Sequence, residues 1–111
     1  MLMVAADERQ REAYLEPYVR GETISAIGIS EPGAGADPQG MRTTAVQDGD
    51  DWIINGRKIW ITKGAEADFT ILMAVTDKNP GGRNGMSAFL VDRDTPGLNL
   101  TRQIPMIDRT A

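Results

Sequence analysis

The sequence contains neither cysteine nor histidine among its 111 residues. These absences exclude disulfides, thiol chemistry, general acid–base catalysis by histidine and the usual zinc sites, so no metal site is expected. Any chemistry must come from carboxylates, hydroxyls, Lys and Arg side chains, backbone groups or a bound cofactor. A chain without cysteine is compatible with a reducing compartment, and we expect a cytoplasmic protein.

Long apolar runs, basic clusters and aromatic residues are also scarce or missing. No apolar run approaches the roughly 20 residues of a membrane span, and the N-terminus lacks the pattern of a signal peptide. A net charge of −4 without a basic cluster argues against a nucleic-acid partner. The remaining composition, 41% hydrophobic and 25% charged, is typical of one soluble globular domain with a modest core.

The first twenty residues predict a packing helix. Asp7 can cap it, with Gln10 three residues later as a loose capping box. Pro17 is expected to end or kink this helix, and Gly21 is expected to stop it. Its apolar stripe consists of Tyr14, Leu15, Tyr18 and Val19.

After Gly21 the apolar period changes to two, which predicts seven short strands. They cover residues 23–30, 41–47, 51–54, 57–62, 68–76, 85–92 and 98–104. The turn signal Asp48-Gly49-Asp50 closes the second of these strands, turn signals rich in Pro and Gly separate the later ones, and no helical pattern intervenes. The sequence therefore predicts a mainly β fold, an antiparallel β-barrel of about seven short strands preceded by one N-terminal helix.

The dipeptide Asn55-Gly56 is the strongest hairpin signal in the sequence. A two-residue turn there pairs residues 51–54 with residues 57–60 and places Trp60 on the mixed, polar face of the ribbon. An exposed tryptophan most often covers an adjoining loop or domain. A surface for a flat ligand, with the Thr62 hydroxyl as a hydrogen-bond donor, is the open alternative.

The stretch "ISEPGAGADPQG", residues 29–40, is a loop rich in glycine and proline that follows a predicted strand. It is not a dinucleotide fingerprint, because Pro38 stands where the third glycine belongs and no βαβ unit follows. It also lacks the Gly-Lys-Ser/Thr of a P-loop. Its backbone N–H groups could form an anion-binding nest, but the stretch alone favours a turn at a barrel corner.

Three motifs in order and at matching spacing resemble the middle domain of acyl-CoA dehydrogenases. They are "SEPGAGAD" (30–37), "INGRKIWIT" (54–62) and "AFLVDRDTPGL" (88–98), and "YLEPYVRGE" looks like the end of that family's N-terminal helical domain. The resemblance implies a helical lead-in at 1–21 and a middle β-barrel domain at 22–111, without the C-terminal catalytic helical domain. It also implies FAD-dependent αβ-dehydrogenation of an acyl-CoA thioester, for which this chain alone would lack the catalytic base.

The resemblance further implies which residues meet the ligands. The cofactor contacts would be Ile27, Ile29, Ser30, Gly35, Ala36, Trp60, Ile61 and Thr62. The Ile29 backbone and Ser30 hydroxyl would meet the pyrimidine edge of the flavin, Trp60 would flank the ring, and Thr62 would reach N5. Such donors tune the electronics of the ring and stabilise its reduced form. Ala36 and Arg83 would approach the acyl-CoA substrate.

The sequence departs from the family pattern at two site positions. The family usually has threonine where Ser30 stands and serine where Ala36 stands, so one hydroxyl is kept and one is lost. Glu31 is assigned to the architecture of the loop, and no catalytic residue is expected in this chain. For the full enzyme the resemblance implies an electron-accepting flavoprotein and a homo-oligomer. The alternative is a non-enzymatic β-barrel interaction module that binds a partner through the Trp60 face.

Overall fold

The computed structural model describes residues 1–79 and 81–107, and its N-terminal part is helical. The helical elements are α1 (Leu2–Ala5), α2 (Glu8–Gln10), a π-helical stretch (Arg11–Leu15) and α3 (Glu16–Val19). The predicted capping box is confirmed, since the Asp7 carboxylate accepts from the Gln10 N–H at 2.8 Å and the Asp7 N–H donates to the Gln10 side chain at 3.1 Å. Pro17 does not end the helix, because it lies near the start of α3, which continues to Val19. The π-helical stretch directly before α3 replaces the regular α-helical hydrogen bonding ahead of the proline. Gly21, with φ +74°, follows the end of the helix as expected.

Within the described residues, five strands form one open, mixed sheet. They are β1 (Ser25–Gly28), β2 (Thr44–Asp48), β3 (Asp51–Asn55), β4 (Phe69–Asp77) and β5 (Gly85–Asp92). The long strand β4 is central, with β5 antiparallel along it and β1 parallel to its first half. Thr44 of β2 pairs in parallel with Val75 of β4, and β3 follows β2 as its antiparallel neighbour. One sheet therefore joins all five strands, with β4 at its centre.

The predicted antiparallel barrel of seven strands is wrong in closure, strand number and strand direction. The mainly β character and the helix before the sheet are confirmed, but the sheet is open and mixed. Residues 57–62 form no strand, because Trp60 has a left-handed φ of 61° that interrupts an extended chain. Residues 98–104 form none either, and Leu98 and Leu100 are exposed instead of packing on a sheet face.

The predicted hairpin at Asn55-Gly56 is also wrong. The turn lies six residues earlier, at Gly49-Asp50, where Gly49 adopts φ +62° and Asp48 pairs with Asp51. Gly56 serves a different purpose, since a Cβ placed there would come within 2.7 Å of the Thr43 Cα. The glycine therefore permits a close backbone approach after β3, and the chain then leaves the sheet.

The core is small, and alanine dominates it. Its buried apolar members are Ala26, Ala34, Met41, Ala45, Ala67, Phe69, Ile71, Ala74 and Val75. Tyr14 attaches the helical part to the sheet, with its ring edge-on to Phe69 at a centroid distance of 4.9 Å. Its hydroxyl donates to the Asp92 carboxylate at 2.8 Å, and burial together with this hydrogen bond raises the pKa of Tyr14. In the described part of the chain no helix is long and apolar enough to cross a membrane.

Candidate functional site

Strand β1 presents isoleucine on its outer face. Ala26 and Gly28 point to the buried side, whereas Ile27 is 52% exposed and Ile29, just after the strand, is 38% exposed. Because side chains alternate along an extended chain, both isoleucines lie on the same face. The small residues pack inside, and β1 therefore leaves an open apolar surface that can contact a flat ligand.

The glycine loop, residues 29–40, begins with a tight turn that exposes its backbone. The Glu31 N–H donates to the Ala34 carbonyl at 2.8 Å, and the Ala34 N–H donates back to the Glu31 carbonyl at 3.1 Å. A Cβ added at Gly35 would meet no atom within 4 Å. In the described residues neither the Gly35 N–H nor the Ala36 N–H has a hydrogen-bond partner. The turn thus leaves two exposed residues whose backbone donors have no partner within the described part of the chain.

Glu31 belongs to this loop, but the residue is almost fully buried, at 8% exposure. Its carboxylate accepts from the Arg42 N–H at 2.7 Å, the Thr43 N–H at 3.0 Å, the Thr43 hydroxyl, and the Lys58 ammonium at 2.9 Å. Burial raises the pKa of Glu31, but these hydrogen bonds outweigh it and lower the pKa to about 2. Glu31 is therefore a charged acceptor that fastens the loop to the segment before β2.

The segment 57–62 lies against the start of the glycine loop. The Lys58 ammonium donates to the Ile29 carbonyl at 3.1 Å, and the Ile59 N–H donates to the Ser30 carbonyl at 3.0 Å. Trp60 follows directly and is 55% exposed. The hairpin that we predicted for this segment does not form. The segment instead lies beside the start of the glycine loop, although the two belong to separate sequence motifs.

The remaining site candidates differ in their exposure. Ser30 and Ile61 are half-buried, while Ala36 and Thr62 are exposed. In the described part of the chain the hydroxyls of Ser30 and Thr62 make no intramolecular hydrogen bond. Both hydroxyls are therefore available to a ligand.

Arg83 is exposed in the connection between β4 and β5. The next residue, Asn84, donates its N–H to the Gln39 side chain at 2.9 Å. Gln39 belongs to the 3₁₀ turn Pro38–Gly40, and a Cβ at Gly40 would lie 3.5 Å from the Ala34 Cβ. The Arg83 connection is thus tied to the far end of the glycine loop.

Sequence reasoning missed Lys58 and Thr43, which hold the site together. The signal was present as a lone carboxylate, Glu31 in "ISEPGAGA", and a cation, Lys58, directly before the apolar residues of "IWIT". Charged residues are rarely fully buried unless they are paired. Their pairing depends on a contact across 27 positions, which local patterns do not predict.

Comparison with known proteins agrees with this arrangement. The family description "Acyl-CoA dehydrogenase, middle domain" matches residues 26–107. (R)-benzylsuccinyl-CoA dehydrogenase of Thauera aromatica is 46% identical over 99 residues, which cover 88% of this chain and 24% of that protein. Subunit CarC of the caffeyl-CoA reductase-Etf complex of Acetobacterium woodii is 42% identical over 99 residues, covering 89% and 26%.

A solved structure has a similar fold over most of this chain. The glutaryl-CoA dehydrogenase of Mycobacterium smegmatis in complex with FADH2 superposes with a TM-score of 0.83 at 39% identity, over 94% of this chain and 25% of that one. The chain spans about a quarter of the length of the curated relatives it matches. By sequence and by fold, the chain belongs to the acyl-CoA dehydrogenase family and corresponds to its middle domain.

Proposed function

We propose that this chain is the middle domain of an FAD-dependent acyl-CoA dehydrogenase and supplies one wall of the cofactor and substrate site. The observation that carries the proposal is the contact between the glycine loop and the segment 57–62, made by the Ile59 N–H and the Ser30 carbonyl at 3.0 Å. This contact joins Trp60 through its neighbour Ile59 to the end of β1, the strand that bears the exposed Ile27 and leads into the glycine loop. The glutaryl-CoA dehydrogenase neighbour is in complex with FADH2, which supports a flavin as the ligand.

The residues fit a flavin nucleotide by their chemistry. A planar ring needs apolar or aromatic faces and a few donors at its edge, whereas a pyrophosphate needs N–H groups. We propose that the ring is contacted by Ile27, Ile29, Ser30, Trp60, Ile61 and Thr62. We propose that the N–H groups of Gly35 and Ala36, which have no partner among the described residues, bind the pyrophosphate, since even a Cβ added at Gly35 would meet no atom within 4 Å. When bound, FAD accepts the hydride in αβ-dehydrogenation.

We propose that the substrate is an acyl-CoA thioester. The names of the three relatives share a CoA group and differ in the acyl part, which supports a CoA-binding role for the common domain. Arg83, exposed beside the far end of the glycine loop, offers a cation for CoA phosphates, while Ala36 offers only its backbone N–H. CarC is named as a subunit of an Etf complex, which supports an electron-accepting flavoprotein as partner.

The chain contributes binding and orientation, and we assign no catalytic base to it. Glu31 is the buried carboxylate nearest the proposed site, but its pKa of about 2 makes it a poor proton acceptor. Its oxygens also already accept four hydrogen bonds. Bleaching of flavin by an acyl-CoA in the presence of this chain alone would contradict this assignment.

Titration of FAD fluorescence with the chain, at concentrations up to about 1 mM, tests the proposal, because one wall of a site is expected to bind weakly. Trp60→Ala is the test variant, and Trp52→Ala is its control, since Trp52 packs edge-on against Phe89 on β5. We expect quenching by the parent and by Trp52→Ala, and at least about tenfold weaker binding by Trp60→Ala. Equal titration curves for both variants would contradict the site.

A further inference from the structure

Lys58 and Glu31 form a buried ion pair between the two halves of the proposed site. Their side chains are 8% and 5% exposed, and their charged atoms lie 2.9 Å apart. Burying two charges carries a desolvation penalty that their attraction often only balances, so such a pair is weak grounds for stability alone. A role in fixing one arrangement of the chain is the better-supported use of this pair.

Trp60, two residues after Lys58, has a backbone that needs such fixing. Its φ of 61° lies in the left-handed region, which is uncommon for residues other than glycine and unfavourable for a bulky one. The side chain is 55% exposed and therefore gains little from burial. Two contacts lie just before Trp60 and constrain the chain that leads into it, from Lys58 to the Ile29 carbonyl and from Ile59 to the Ser30 carbonyl.

We propose that the Glu31–Lys58 ion pair is a positioning device that presents Trp60 beside the glycine loop before any ligand binds. Glu31 is fixed from the other side by the Arg42 and Thr43 N–H groups, and Lys58 transmits that anchor to the segment 57–62. Lys58 and Glu31 act through Trp60 and Ile29 and do not themselves touch the ligand. The claim that this ion pair assists flavin binding rests on the proposed function. The claim that it orders Trp60 is independent of that function.

Lys58→Met is the variant that isolates this contact. Methionine keeps an unbranched apolar stem, which at Lys58 packs over Gly28, but it cannot donate to Glu31 or Ile29. Glu31 retains its hydrogen bonds from Arg42 and Thr43, so the loop keeps its own anchor. Lys63→Met is the matched control, because Lys63 is exposed and makes no side-chain hydrogen bond within the described residues.

The test is made without flavin, in a Trp52→Phe background where Trp60 is the sole tryptophan. We expect Lys58→Met to abolish the near-ultraviolet circular dichroism of Trp60, to lower its fluorescence anisotropy towards that of an exposed mobile indole, and to reduce hydrogen-exchange protection of the Ile59 amide by at least about tenfold. The far-ultraviolet spectrum should not change. Lys63→Met should match the parent in every measurement.

An unchanged Trp60 signal and unchanged Ile59 protection in a folded Lys58→Met chain would overturn the proposal. If Lys58→Met does not fold, the double variant Glu31→Gln/Lys58→Met removes both charges, and an immobile Trp60 there would overturn it equally. FAD is then added to the parent and to Lys58→Met. Loss of Trp60 order in the variant, without any effect of FAD on the parent, would sustain the positioning role and refute the proposed function.

Discussion

Replacing Glu31 with glutamine should lower the free energy of unfolding by about 3 kcal/mol at pH 7. The carboxyl pKa falls from an ordinary 4.5 to about 2 in the fold. Each pKa unit corresponds to about 1.4 kcal/mol of preference for the charged form, which gives this magnitude. Removing one partner of a buried ion pair, which here leaves the Lys58 charge uncompensated, typically costs a similar amount, roughly 3–5 kcal/mol.

The pH dependence of this cost provides a second check. The pKa of Glu31 is depressed in the folded chain, so the unfolded chain binds the proton first as the pH falls. The stabilisation by the Glu31 carboxylate is therefore complete above pH 4.5 and is lost as the pH falls towards about 2. The stability difference between the parent and Glu31→Gln should shrink across this window.

Urea unfolding followed by far-ultraviolet circular dichroism measures both effects, with an osmolyte added if the variant is too unstable in buffer. Glu66→Gln is the control, because Glu66 is exposed and the same substitution there should change stability by less than about 0.5 kcal/mol. If Glu31→Gln behaves like this control, or costs the same at pH 2.5 as at pH 7, the reasoning about the buried carboxylate is refuted.

Two further substitutions probe the packing around the site by the same urea assay. Gly56→Ala should destabilise the chain by about 2 kcal/mol or more, because its Cβ would come within 2.7 Å of the Thr43 Cα. Gly33→Ala is the control and should cost less than about 1 kcal/mol, because a Cβ there would meet no atom within 4 Å. Similar costs for the two variants would contradict the close approach at Gly56. Tyr14→Phe keeps the ring but removes the hydrogen bond to Asp92, and we expect a loss of about 1 kcal/mol; no loss would mean that this bond does not hold the helical part to the sheet.

The parts of the fold that the sequence predicts depend on neighbouring residues. The capping box of Asp7 and Gln10 and the helix stop at Gly21 form as expected, because each involves a few consecutive positions. The Asp48-Gly49-Asp50 turn forms where its local signal predicts it, whereas Asn55-Gly56, a good turn sequence by itself, forms no hairpin. Gly56 instead closely approaches the Thr43 backbone, a contact about which a local pattern carries no information.

In the candidate site, too, local motifs could be predicted from the sequence and contacts between distant residues could not. The motifs around Ser30 and Trp60 could be singled out from the sequence, but the contact between them depends on Lys58, whose partners Ile29 and Glu31 are 29 and 27 positions away. The predicted barrel closure is wrong because a period-two pattern predicts which side chains of a strand face the core. It does not predict which strands are neighbours or in which direction they run. The parallel pairing of β1 with β4 is therefore visible only in the structure.

The most direct test of the central claim is a nuclear magnetic resonance titration that follows both indole N–H signals as FAD is added. Trp60 directly follows Ile59, whose N–H donates to the Ser30 carbonyl of the glycine loop, whereas Trp52 packs against Phe89 on β5, so the two indoles report on different parts of the sheet. We predict that FAD shifts the Trp60 indole and the Gly35 and Ala36 amides and leaves the Trp52 indole in place. Shifts confined to Trp52, or none at about 1 mM FAD, would contradict a flavin-binding edge at the glycine loop.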